Sequence, residues 1–115
     1  MSTSRSRRSP MNESDFQRQV TDLAELTGWA WVHFRPAKTA HGWRVPVQGT
    51  LGGGWPDLFL VNPWKHRTLV VELKTDKGKV TPEQAAVHTA LRSGGLTVFV
   101  WRPADFPEIQ RELTA

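Results

Sequence analysis

Between Asn12 and Thr27 the apolar positions recur three and four apart. Phe16, Val20, Leu23, Ala24 and Thr27 fall on one face, which predicts a helix. Asn12 or Ser14 can cap its start, and Gly28 can end it. Trp29 to Arg35 alternates in character and predicts a strand stopped by Pro36. Ala37 to Trp55 is polar and rich in glycine. It reads as a long loop, a feature that in a small domain is usually functional or mobile. Asp57 to Val61 and Thr68 to Lys74 are the next two strands, joined by a turn that opens on Asn62 and Pro63. Asp76, Lys77 and Gly78 form a tight polar connection. Thr81-Pro82-Glu83-Gln84 then starts a second helix, with a Thr cap, Pro in the first turn and Gln at the capping-box position. This helix runs to about Ser93 and is closed by Gly94 and Gly95. Leu96 to Trp101 is an apolar, buried strand, and Phe106 to Leu113 a short terminal helix.

The resulting order is one helix, three strands, a helix, a strand and a small helix. It predicts an α/β fold: a mixed four-stranded sheet flanked by helices, with the helix before Leu96 serving as a right-handed crossover between parallel strands. The 115 residues suit one domain, over 12–115. Residues 1–11 are basic and serine-rich, without the apolar stretch of a secretory signal, and read as a disordered arm. No apolar run approaches the roughly 20 residues of a spanning helix, which argues against a membrane protein. The absence of cysteine excludes disulfides and cysteine-ligated zinc, and makes a reducing cytoplasm the expected compartment.

Charge narrows the picture. Fifteen Lys and Arg against eleven Asp and Glu leave a net charge of +4, which favours a polyanionic partner. No acidic residue lies between Glu25 and Asp57. That stretch carries Arg35, Lys38 and Arg44, interleaved with Trp29, Trp31, Phe34, Trp43 and Trp55. Such a mixture can pair phosphates and stack bases. Trp29 and Trp31 are assigned to the core, whereas Trp43 and Trp55 stay open between core and nucleic-acid contact. His33, His41, His66 and His88 show no metal-ligand spacing and are assigned to surface or loop roles. Lys77 and Lys79 can contact phosphate, and a solvated turn accounts for them equally well. Gly52-Gly53-Gly54 is followed by no Gly-Lys-Ser/Thr, so it is not a Walker loop. It reads as flexible backbone that DNA could approach.

The chemistry concentrates in Gly54-Trp55-Pro56-Asp57 and Glu72-Leu73-Lys74. Glu72 and Lys74 point the same way from their strand, and Leu73 the other way. If the two strands form a hairpin, Asp57 lies across from Glu72, and two carboxylates and an ammonium converge at one sheet end. Hard divalent ions such as Mg²⁺ take oxygen ligands. The two carboxylates, with the Leu73 backbone carbonyl as third ligand, would suit one. Such an ion activates water and offsets charge at phosphate, and Lys74 could orient that water or stabilise developing charge. Without a metal the carboxylates would repel, and one would have its pKa raised.

Gly-Trp-Pro-Asp-Leu, then Val-Glu-Leu-Lys, then Gly-Lys-Val-Thr-Pro-Glu-Gln resembles the VRR-NUC branch of the PD-(D/E)XK nucleases, in its small stand-alone phage and bacterial form. The likeness runs from about Glu13 to Asp105. It implies a restriction-endonuclease-like αβββαβ core and a Mg²⁺- or Mn²⁺-dependent endonuclease. The implied substrate is DNA of particular structure, branched or Holliday-junction-like, and the implied assembly is a homodimer. By the same likeness Asp57 and Glu72 are metal ligands, Lys74 is the motif lysine, and Gln84 lies beside the metal. Gln84 also has a sufficient role as the capping partner of Thr81. The family's additional glutamate on the first helix falls on Glu13 or Asp15. Glu13 is chosen because it shares a face with Phe16, Gln17 and Val20, while Asp15 sits with Arg18, Gln19 and Asp22. The competing readings are a DNA-binding module that keeps the nuclease fold without turnover or needs a partner subunit, and a structural component of a replication or phage complex. A pure binder gains nothing from carboxylates clustered beside phosphate.

Overall fold

The computed structural model describes residues 11–34 and 47–115 in full and, between them, the backbone of 37–39 and 42–44. The arm expected over 1–11 thus lies outside the described residues except for Met11, which packs against the core. Helix α1 spans Glu13–Leu26, and the Asn12 side chain caps it by accepting from the Asp15 N–H at 2.8 Å. Phe16, Val20 and Ala24 are fully buried on its inner face. Strand β1 (Ala30–His33) follows, then β2 (Ala37–Thr39) and β3 (Gly42–Arg44), which pair as a small antiparallel ribbon inside the segment expected to be loop. Strands β4 (Leu58–Asn62) and β5 (Arg67–Leu73) form a hairpin. Helix α2 (Pro82–Ser93) crosses over to β6 (Thr97–Trp101), and α3 (Phe106–Thr114) ends the chain.

The main sheet has the order β1-β4-β5-β6. β4 runs antiparallel to both β1 and β5, and β5 runs parallel to β6. This is the mixed four-stranded α/β architecture that the pattern predicts. Alternation divides the core in two. Leu58, Leu60, Leu69, Val71 and Leu73 meet α1 and α3 on one face, where Ile109 and Leu113 are fully buried. Val70 and Val98 meet Val87 and Leu91 of α2 on the other. Each such aliphatic side chain contributes about 1.5–3 kcal/mol on burial, so the sheet is clamped from both sides.

Three expectations change. Trp29 is buried as expected, and its Nε1 donates to the Leu113 carbonyl at 3.0 Å. Trp31, also assigned to the core, is 36% exposed. It lies on the edge strand of the described sheet, and its Nε1 donates to Glu25 at 2.9 Å. The β6 segment is only partly buried, because Thr97 is exposed and Phe99 and Val100 are half-covered. Finally, Gly52–Gly54 is a single 3₁₀ turn rather than open backbone. Gly54 is buried, and a Cβ there would overlap the Glu83 carbonyl oxygen and come within 2.9 Å of Val87 Cγ2. Only glycine permits this approach, which pins the Trp55-Pro56-Asp57 segment against the start of α2. No helix among the described residues is long and apolar enough to cross a membrane.

Candidate active site

The β4–β5 ladder pairs Leu58 with Val71. One step beyond, Asp57 stands opposite Glu72, and the Phe34 N–H of the neighbouring edge donates to the Asp57 carbonyl at 2.8 Å. Strand alternation turns both acidic side chains toward α2, on the face that carries Phe59 and Val70. The convergence expected from the sequence is therefore a consequence of hairpin register. Helix α2 then closes over the pair. Its capping box is formed in both directions, with Gln84 N–H donating to Thr81 Oγ1 and Thr81 N–H to Gln84 Oε1. The Gln84 amide has a donor to spare, and Nε2 donates to Glu72 Oε2 at 3.3 Å. Gln84 thus caps the helix and contacts Glu72 as well.

The surface or loop role expected for His88 is wrong. This residue is 2% exposed and its Nε2 lies 3.2 Å from Glu72 Oε1. Burial, followed by the charges of Arg92 and Lys74, holds it below the usual histidine range. The ring is then neutral, and because a carboxylate only accepts, Nε2 carries the proton and donates it. The signal was present in the sequence: Gln84, Val87, His88 and Leu91 share one helical face.

Electrostatically the acid pair is primed. Asp57 is raised from 3.8 to about 7, first by burial, then by its hydrogen bond with Glu72 and by that residue's charge. Two effects oppose this rise: the Leu73 N–H, which donates to Asp57 Oδ2 at 2.7 Å, and the charge of His33. Glu72, 2% exposed, is also raised by burial and by the charge of Glu13, against the hydrogen bond from Asp57 and the charge of Lys74. Ionising both of these touching carboxyls is costly without a compensating cation, so Asp57 keeps its proton up to about pH 7.

Lys74 is half-buried on the same face as Glu72, and its N–H donates to the Trp101 carbonyl at 3.0 Å. Glu13 sits in the first turn of α1 on the other side of the sheet end. It shares a cavity of about 240 Å³ with Ser14, Gln17, His33 and Leu73, close enough for its charge to act on Glu72. Asp15 is exposed in the same turn. Lys77 and Lys79 are exposed in the connection after Lys74. That connection is held by Arg102, whose Nη1 donates to the Thr75 carbonyl at 2.7 Å, a brace not foreseen from sequence. Of the other expected phosphate-binding residues, Arg35 and the side chains of Lys38 and Arg44 lie outside the described residues. Among the described residues no three His, Cys, Asp or Glu side chains are grouped so that they could hold a metal ion. The donor set is an open pair of hard oxygen ligands, of the type that could take a divalent ion retaining several waters.

Comparison with known proteins agrees with this fold. Residues 13–105 match the VRR-NUC domain. A solved structure described as a VRR_NUC domain superposes with a TM-score of 0.61 at 23% identity, over 86% of this chain and 90% of that one, and so shares the fold. No curated protein matches the chain. With most of its length covered by the family match, and with the mixed sheet and helices of that fold, the chain belongs to the VRR-NUC domain family, a family of nuclease-type domains.

Proposed function

We propose that the chain is a metal-dependent endonuclease of the PD-(D/E)XK type, hydrolysing DNA phosphodiester bonds with Mg²⁺ or Mn²⁺ and favouring branched DNA. The observation that carries this reading is the pairing of half-buried Asp57 with buried Glu72 at the sheet end, with the Lys74 charge acting on it. Burying two acids together is costly unless a cation joins them, and a domain that only bound DNA would gain repulsion from them. Asp57 and Glu72 would hold the ion, with the Leu73 carbonyl as a further ligand and Glu13 entering from the α1 side. A divalent ion bound there would supply an activated water and offset charge at the phosphate. Leu73 N–H fixes one oxygen of Asp57, while Gln84 and His88 fix both oxygens of Glu72, and each of these oxygens keeps a further lone pair. Lys74 would stabilise negative charge developing on the phosphate oxygens. Lys77 and Lys79, with Arg35, Lys38 and Arg44, would grip the backbone.

The test is cleavage of labelled four-way-junction, flap and duplex DNA in Mg²⁺, Mn²⁺ or EDTA. Cutting that needs the metal and is fastest on branched DNA is expected. Binding without cutting under every metal would replace this reading with that of a non-catalytic DNA-binding module.

Because His88 acts through Glu72, it is a positioning residue. His88→Leu should weaken Mn²⁺ binding, read by calorimetry, by about tenfold or more, with His88→Gln recovering part of the loss. Unchanged Mn²⁺ affinity in a folded His88→Leu protein would remove this role.

A further inference from the structure

Beside the acid pair lies a cavity of about 360 Å³ with a different chemistry. Phe34 and Trp55 form two of its walls, with ring centroids 5.9 Å apart and planes at 89°. Val47 and Leu51 add apolar surface, and Gln48 and Thr50 bring polar groups to the rim. None of its described lining residues is charged. Its position follows from the sheet. Continuing the strand registers by one residue places Phe34, Asp57 and Glu72 side by side on three adjacent strands, with Val100 next to Glu72. Neighbouring strands are about 4.8 Å apart. The aromatic wall therefore stands one strand from Asp57 and on the same sheet face. Trp55, two residues before Asp57, shares that face through alternation.

We propose that this cavity receives an unpaired nucleobase of the strand whose phosphate lies at Asp57 and Glu72, so that DNA with an unstacked nucleotide beside the scissile bond is selected. The inference rests on the nuclease reading for the placement of the phosphate. A base can stack on one ring in the corner that the two touching aromatics make and meet the other edge-on, with its polar edge toward Gln48 and Thr50. A base inside a duplex has both faces occupied and cannot enter, whereas an unpaired base enters at little cost. The uncharged character of the described lining residues suits a base and not a phosphate. Trp55 is only half-buried although it packs against the α2 core, so one side of its ring is left to the cavity.

The experiment uses flap DNA with 2-aminopurine placed in turn at each unpaired and paired position around the branch, mixed with the full chain in EDTA. Fluorescence should be quenched most at one unpaired position, and this excess quenching should disappear in both Phe34→Leu and Trp55→Leu. Two variants are needed because Trp55 also supports the core. With Mg²⁺, an abasic site at the quenched position should lower the parent's kcat/KM by about tenfold, as expected for loss of one stacked base, and should cost Phe34→Leu little. If DNA is bound and cut but no unpaired position is preferentially quenched, the base pocket is wrong and the nuclease stands. If quenching is seen and lost in the variants while no metal supports cutting, the base pocket stands and the nuclease reading falls. Equal quenching at paired and unpaired positions overturns the proposal, as does an abasic site without effect on the parent.

Discussion

Glu72→Gln is expected to lower cleavage by about a thousandfold or more while leaving the fold and DNA affinity in place. The substitution keeps the size of a side chain that is 2% exposed, so no cavity opens. Its oxygen can still accept from His88 Nε2 or Gln84 Nε2, whereas its new amide group meets donors at the other position. What disappears is the anionic ligand. Transition-state stabilisation of several kcal/mol from a bound cation corresponds to roughly three decades in rate. DNA should bind as well or slightly better, since a negative charge beside the phosphate is gone. Single-turnover cleavage of flap DNA and a binding titration of the same substrate separate the two effects. Cleavage at the parental rate would mean that Glu72 is not a ligand and that the buried pair has another purpose.

The second large effect is on stability. Asp57→Asn should make the metal-free protein more stable than the parent at pH 8, by about 2–4 kcal/mol. The sign follows from the raised carboxyl. Below about pH 4 both folded and unfolded chains hold the proton, and the parent carries no penalty. Between about 4 and 7 the unfolded chain ionises while folded Asp57 keeps its proton, so parental stability falls as pH rises. Above about 7 the folded pair ionises as well and the full penalty remains. The Asp57→Asn substitution removes that cost, and the amide oxygen it introduces can still accept from Leu73 N–H. For a domain of this size the difference corresponds to roughly 10 °C in Tm. Thermal melts from pH 4 to 8 should show the two curves meeting at the acid end. Mg²⁺ added at pH 8 should raise the Tm of the parent and hardly that of the variant, because a ligand that binds only the folded site stabilises only where the site exists. A variant that melts at or below the parent at pH 8 would show that burial of the pair carries no such strain. Function and stability thus pull in opposite directions at residue 57, as they do where binding energy is held in reserve for a ligand.

The elements around the site were legible in the sequence because they are written locally. Asn12 and the spacing of Phe16, Val20 and Ala24 specify α1, and Thr81-Pro82-Glu83-Gln84 specifies the start of α2. Alternation alone puts Glu72 and Lys74 on one face, and a short polar turn after Asn62 makes β4 and β5 a hairpin, so Asp57 and Glu72 had to meet. Tertiary structure decided whatever depends on neighbours distant in the chain. Trp31 has the same alternating context as a core residue, yet β1 became an edge and left it exposed. His88 looked like a surface histidine until the parallel β5–β6 crossover laid α2 across Glu72. The aromatic cavity exists because Phe34 and Trp55 come from opposite sides of a segment about twenty residues long, whose ribbon closes on itself. Periods of about 2 and 3.6 residues are properties of a short stretch of backbone, and any sequence displays them directly. Which strand ends the sheet, and what a helix covers, depends on contacts that form only when the chain closes on itself.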